Sequence, residues 1–241
     1  MENAFLTDNQ DFVVFGQQHL ATILVAAAFG AALITWAKHH ATQAQQHFWG
    51  KAISLYLCIV VIVWTFIRIA LGKFDPTGDL PLAICNLMAV SMPVLMFTRK
   101  YAIYEVFYFW IFAGTVQAII TPDLHLGFPH HTYFKYWTVH LGLVICILYA
   151  TIVFNMRPTW QSMLRAFMWL QLYVLLAFFA NILLGSNYAY LNHKPHVASL
   201  LDYFGNWPWY IIVSELLAIP FFLLAYLPFL RQKNTTANTK I

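Results

Sequence analysis

The stretch AISLYLCIVVIVWTFIRIAL (Ala52–Leu71) decides the fold class. It contains 20 residues, and Arg68 is its only charged side chain. An α-helix of about 20 residues is long enough to cross the roughly 30 Å apolar core of a bilayer. The stretch therefore predicts a transmembrane helix.

Similar apolar stretches recur along the whole chain. Only 9% of the residues are charged and 61% are hydrophobic, whereas roughly a quarter of the residues of a soluble domain are charged. Short alternating strands, which a membrane barrel needs, are not seen in the sequence. We predict an all-α polytopic membrane protein, a bundle of about seven transmembrane helices, with spans at Gln17–Trp36, Ala52–Leu71, Leu80–Phe97, Tyr101–Ile120, Tyr133–Phe154, Met163–Leu184 and Pro208–Leu230.

The chain is predicted to form a single domain, and its basic residues predict the orientation. Residues 1–230 form the predicted helical bundle, and the polar residues 231–241 form a tail that we expect to be disordered. Lys and Arg residues favour the cytoplasmic side of a membrane protein. Nine of them fall on one side of a seven-span topology and four on the other, which places the N-terminus outside and the C-terminus in the cytoplasm. The N-terminal segment lacks the basic region of a signal peptide, and we expect a multi-pass protein of the inner (plasma) membrane.

Polar residues concentrate at the predicted outer side of the bundle. The stretch TPDLHLGFPHHTYFKYWTVH (Thr121–His140) carries an aspartate and four histidines and runs from an outer loop into the fifth span. The cytoplasmic linkers contain mainly basic residues. We therefore expect a polar cavity in the outer half of the bundle and apolar packing in the inner half.

Cys85 and His140 are the candidate catalytic residues. Each enters the membrane from the predicted outer side, at a depth of about 9–10 Å by helical rise. A thiol becomes an effective nucleophile when a neighbouring base takes its proton, and Asp123 would orient the His140 imidazole. The alternative is that Cys85 is a core residue and that His140 donates to a backbone carbonyl of a neighbouring helix. Cys58 and Cys146 have no polar neighbours in the sequence and are interpreted as packing residues.

Other polar residues near the same side are candidates for substrate binding. Arg68 and Glu215 are ionisable groups inside apolar stretches, where such groups usually face a cavity or each other. They could form an ion pair, and an arginine could bind a phosphate through two oxygens. Asn86, Gln117 and Asn187 complete the set of candidate substrate-binding residues. The histidines of Thr121–His140 could alternatively bind zinc, although no HExxH motif is present, and interfacial histidines are the favoured interpretation.

Several ordered motifs resemble a known family. The chain resembles the YwaF-like bacterial integral membrane proteins over about Asp79–Phe229, in the motifs LPLAICNL (Leu80–Leu87), YEVFYFWIFAGTVQAIITPDL (Tyr104–Leu124), GFPHHTYFKYWTVHLGL (Gly127–Leu143), LGSNYAYL (Leu184–Leu191) and KPHVASLLDYFGNWPWYI (Lys194–Ile211). That family is distantly similar to a eukaryotic transmembrane cysteine acyltransferase, which moves acyl chains between phospholipids without coenzyme A. The resemblance implies that Cys85 and His140 match its functional cysteine and histidine.

Two hypotheses follow. The first is a cysteine-dependent acyltransferase acting on membrane phospholipid, with Cys85 as nucleophile, His140 as general base and then acid, Asn86 or Gln117 near the oxyanion, and Arg68 on the lipid phosphate. The second is a non-enzymatic seven-helix carrier or receptor for a lipid or small solute. Neither needs a cofactor. The net charge of +4 does not indicate a nucleic-acid partner, because the basic residues lie between the spans.

Overall fold

The structure, a computed structural model, describes residues 11–195 and 199–230, and these residues form a bundle of seven helices. The predicted tail, residues 231–241, lies outside the described residues. Six of the seven helices are long and apolar enough to cross a membrane, which confirms the all-α polytopic fold class. The helices are α1 Gln17–His39, α2 Gln43–Ala70, α3 Ile84–Thr98, α4 Tyr101–Ile120, α5 His131–Ile152, α6 Trp160–Leu184 and α7 Trp209–Tyr226.

Two helix starts differ from the prediction by four residues or more, for local chemical reasons. Helix α2 begins at Gln43 instead of Ala52, because Thr42 and Gln45 form a reciprocal capping box ahead of the apolar stretch. Helix α3 begins at Ile84 instead of Leu80 and has 15 residues. A proline disfavours the α conformation of the residue before it, so Pro81 keeps Leu80 out of the helix. Helix α3 is consequently shorter than a typical transmembrane span.

Helix α4 forms the centre of the bundle. Over an 18-residue stretch of α4, 56% of the residues are buried, compared with 17% over a stretch of that length in each of α1, α2 and α6. Fully buried Tyr104 and Phe109 from α4 pack with Met88 and Met92 from α3 and with Leu143 from α5. Residues Ile111–Thr115 of α4 form a single π-helical turn, a distortion that is frequent at functional sites.

The seven-span topology predicts three outer loops between the spans, at Gly72–Asp79, Thr121–Thr132 and Gly185–Trp207, and residues of all three meet at one end of the bundle. The Tyr188 hydroxyl donates to the Pro76 carbonyl at 2.9 Å, and the Tyr190 hydroxyl donates to the Asp123 carboxylate at 2.7 Å. Residues 11–12 reach the same end, since the Phe12 N–H donates to the His125 carbonyl. We call it the Cys85 end. Which membrane side it faces remains a prediction from the basic residues.

Candidate active site

Cys85 lies at the start of α3, and its thiol contacts a buried threonine. Because α3 begins at Ile84, Cys85 is in the first helical turn and not about 9 Å inside a span. Its Sγ lies 3.5 Å from the Oγ1 of Thr115, which is fully buried at the end of the π-helical turn of α4. The N-cap residue of α3, Ala83, makes no side-chain capping hydrogen bond, and the Tyr173 hydroxyl interacts with the Ile84 backbone N–H. The first backbone N–H groups of a helix lack intrahelical partners. In α3 these groups lie in the same turn as the Cys85 thiol.

His140 is held in a defined orientation by its own helix. Its Nδ1 lies 2.7 Å from the Tyr136 carbonyl, one turn earlier in α5. Its ring stacks on the Tyr136 ring, with 4.0 Å between centroids and 26° between planes. A carbonyl only accepts hydrogen bonds, so Nδ1 carries the proton and, in the neutral ring, Nε2 carries the lone pair. Nε2 is therefore the nitrogen available to act as a base.

Cys85 and His140 lie on helices that pack against each other. Helix α3 contacts α5 directly, and the thiol interacts electrostatically with Lys135 and Tyr136 of α5, the residues just before His140. Among the described residues the Cys85 thiol hydrogen-bonds Thr115, and the His140 imidazole hydrogen-bonds Tyr136. No hydrogen bond joins Cys85 to His140. The backbone contact expected in the alternative interpretation exists, although it lies within α5.

Asp123 has a different partner from the one predicted. Its Oδ2 accepts the Tyr190 hydroxyl at 2.7 Å. Burial, and then the Asp123 carboxylate, raise the pKa of Tyr190 well above its ordinary value, so that the hydroxyl keeps its proton and donates. The predicted contact between Asp123 and the His140 ring is not formed among the described residues. The Tyr136 carbonyl orients the imidazole instead.

The predicted Arg68–Glu215 ion pair is not formed. Arg68 Nε donates to Asp79 Oδ2 at 2.9 Å, and the two side chains are 26% and 11% exposed. The Glu215 carboxylate accepts the side-chain amide of Gln171 on α6. Arg68 thus lies at the Cys85 end with a carboxylate already bound, while Glu215 joins α6 to α7.

The three predicted amide residues divide into two groups. The side chains of Asn86 and Gln117 are half-buried, and neither hydrogen-bonds another described residue. The Asn187 amide is occupied, since its Nδ2 donates to the His193 carbonyl at 2.7 Å and its Oδ1 accepts the Asn192 N–H at 2.9 Å. Asn86 and Gln117 are therefore the polar groups available to a ligand.

Sequence reasoning missed two residues of this cluster, Thr115 and Lys135. Lys135 lies in the second turn of α5 and interacts electrostatically with Cys85, Asp79 and His140. Its ammonium lies 5.9 Å from the centroid of the Trp64 ring. Lys135 could have been singled out as a lysine two residues inside a predicted span, but it was counted only as a loop charge. Thr115 gave no signal, because its position depends on the π-helical turn.

The histidine-rich loop serves structural roles. His130 caps α5 by accepting the Thr132 N–H, and His131 stacks on Trp64 with 4.8 Å between centroids. Within residues 11–195 and 199–230 no group of three or more His, Cys, Asp or Glu side chains is arranged to hold a metal ion. The zinc alternative therefore has no supporting cluster in that part of the chain.

Two apolar grooves lie away from Cys85, on either side of α1. One, of about 520 Å³, is lined by residues such as Phe29, Leu57 and Trp137, and the other, of about 500 Å³, by residues such as Gly30 and Leu148. Neither is lined by a charged side chain, which suits contact with lipid chains.

Comparison with known proteins identifies the family. A sequence model described as the TMEM164 family matches residues 14–226, which include all seven helices. No curated protein and no solved structure matches the chain. The YwaF-like resemblance is not confirmed by this match and stays a prediction. Since the model covers most of the chain, this integral membrane protein belongs to the TMEM164 family.

Proposed function

We propose that the protein is a cysteine-dependent acyltransferase that moves an acyl chain between membrane phospholipids. The observation that carries the proposal is the Cys85 thiol beside the buried Thr115 hydroxyl, on a helix that packs against the helix of the Tyr136–His140 stack. A partly buried thiol with a hydroxyl donor, an ammonium and a helix N-terminus around it has several groups that stabilise a thiolate.

The first half-reaction would form a thioester. His140 Nε2 takes the Cys85 proton, and the thiolate attacks the ester carbonyl carbon of a phospholipid. The tetrahedral intermediate collapses by breaking the bond to the glycerol oxygen, which leaves with the proton from Nε2 as a lysophospholipid hydroxyl. In the second half-reaction Nε2 takes the proton of an acceptor hydroxyl, which attacks the thioester, and the Cys85 thiolate departs and recovers the proton.

The oxyanion would be held by groups near the α3 N-terminus. The N-cap side chain binds none of the backbone N–H groups of the first turn, although the Ile84 N–H interacts with the Tyr173 hydroxyl. The half-buried amides of Asn86 and Gln117 have no partner among the described residues. Such donors, fixed where charge develops, typically lower a barrier by about 3 kcal/mol each.

The proposal is tested with purified protein in detergent and a phospholipid that carries a labelled acyl chain. We expect Cys85→Ser to lose transfer to a lysophospholipid acceptor and Cys58→Ser to retain it, because Cys58 lies on α2 without a polar partner in the described structure. Retained transfer by a folded Cys85→Ser protein would refute a cysteine mechanism.

The carrier hypothesis stays as the second candidate, because the thiol hydrogen-bonds Thr115 and not the imidazole. A carrier would use the polar cluster for binding alone. It predicts that Cys85→Ala binds lipid with wild-type affinity and that neither protein transfers an acyl chain.

A further inference from the structure

The positively charged Lys135 has no carboxylate paired with it among the described residues. It lies within α5 and is half-buried, and it forms no hydrogen bond or ion pair with another described residue. The Trp64 ring, at 5.9 Å, supplies a weak cation–π contact. An ionised group inside a transmembrane helix is costly and usually faces a cavity or a partner.

The carboxylate that interacts with Lys135 is already bound by another cation. Arg68 and Lys135 both interact with Asp79, and the Asp79 carboxylate binds the Arg68 guanidinium at 2.9 Å. The carboxylates of Asp123 and Asp75, in the loops of this end, accept hydrogen bonds from Tyr190 and Thr77. None of these carboxylates forms an ion pair with Lys135, so its ammonium is available to a bound anion.

We propose that Lys135 binds the phosphate group of a phospholipid and thereby places the lipid ester at Cys85. A phosphodiester carries a single negative charge, which one ammonium group can pair with. Lysine binds phosphate as a point charge, and Arg68 keeps further N–H groups beyond the Nε that binds Asp79. This assignment rests on the proposed function for the position of the ester, whereas binding of the phosphate requires no acyl transfer.

The sequence analysis assigned the phosphate to Arg68. In the structure Lys135 is the better candidate for the phosphate, because Arg68 already binds a carboxylate and Lys135 does not. Lys135 interacts electrostatically with both Cys85 and His140, so an anion bound to Lys135 would lie in the same cluster as the candidate catalytic pair.

The test measures lipid binding in a Cys85→Ala background, where no thioester can form. The probes are phosphatidylglycerol and diacylglycerol that carry the same fluorescent acyl chain, titrated with the full-length protein in dodecyl maltoside. Lys135→Gln removes the charge, and Lys135→Arg keeps it. Lys194→Gln is the matched control, since Lys194 is a loop lysine at the same end that lies over the Tyr210 ring.

We expect Lys135→Gln to weaken phosphatidylglycerol binding by about tenfold, the size of one hydrogen bond to a charged group, and to leave diacylglycerol binding unchanged. Lys135→Arg and Lys194→Gln should bind both lipids within about twofold of the parent, well inside that tenfold change. Equal loss of both lipids, or no loss of phosphatidylglycerol in a Lys135→Gln protein that elutes as a monodisperse peak, overturns the proposal.

Inorganic phosphate distinguishes the two sources of the anion. If it displaces phosphatidylglycerol from the parent protein but not from Lys135→Gln, Lys135 binds phosphate whether or not the phosphate belongs to a lipid. If inorganic phosphate displaces phosphatidylglycerol from neither protein while Lys135→Gln still weakens lipid binding, Lys135 binds the phosphate only as part of a lipid headgroup. Both results support the subsite, and both hold even if acyl transfer is absent, so the failure of the proposed function would be seen separately.

Discussion

Replacement of Thr115 by valine should slow the reaction of Cys85 with electrophiles without unfolding the protein. The Thr115 side chain is fully buried, and Cys85 Sγ, at 3.5 Å, is its only hydrogen-bond partner among the described residues. Valine keeps the shape of threonine and removes the hydroxyl. The thiolate then loses one donor at a site that water enters poorly.

The expected loss follows from the strength of that contact. A hydrogen bond to a charged group contributes about 1.5–3 kcal/mol, and the long distance to sulfur favours the lower end of this range. A loss of about 1.4 kcal/mol corresponds to about a tenfold lower rate of Cys85 modification. Thr115→Ser keeps the hydroxyl and should react at the parent rate, while the loss of a buried methyl group lowers its free energy of unfolding by about 1 kcal/mol.

The two substitutions are compared by timed labelling with a lipid-like acyl electrophile at constant pH, mapped by mass spectrometry, and by thermal unfolding in detergent. Cys58 labelling in the same sample serves as the internal control. Equal labelling rates at Cys85 in Thr115→Val and the parent protein would refute the claim that this hydroxyl supports the thiolate. A rate lowered equally in Thr115→Ser would assign the effect to packing.

Two further predictions concern stability. A methyl group at Gly142 would collide with the buried Leu57 side chain, so we expect Gly142→Ala to lower the free energy of unfolding by about 1–3 kcal/mol. The control variant Gly114→Ala has open space at its Cβ and should be neutral or stabilising. Equal midpoints of the two variants in thermal unfolding would contradict the close approach of α2 and α5. For Arg68→Gln and Asp79→Asn, the partly buried ion pair predicts a coupling free energy of about 1 kcal/mol in a double-mutant cycle, and strictly additive effects would mean that the pair is not formed.

The fold class could be predicted because the bilayer imposes a length and a polarity on every span. The apolar stretches fixed the number and order of helices, and the loops at the Cys85 end meet as a seven-helix topology requires. The start of α3 was missed by four residues, Leu80 against Ile84. Hydropathy continues through Leu80–Ala83 and so does not mark the start of the helix, while Pro81 disfavours the helical conformation at Leu80.

The candidate site was predicted by residue type and missed in its contacts. Cys85 and His140 were recognisable as polar residues inside apolar stretches. The Thr115 contact depends on a π-helical turn, which has no sequence signature, and the Tyr190–Asp123 hydrogen bond joins loops that are far apart in the sequence. Hydropathy does not identify ion-pair partners, and Arg68 binds the loop residue Asp79 and not Glu215.

The most direct test of the central claim is to look for the covalent intermediate. Purified protein is incubated with phospholipid in the absence of an acceptor, quenched in acid, digested and analysed by mass spectrometry. We expect an acyl group bound as a hydroxylamine-sensitive thioester to Cys85, absent from Cys58 and Cys146, and strongly reduced in His140→Ala. A protein that transfers acyl chains while Cys85 remains unmodified throughout turnover would contradict that claim.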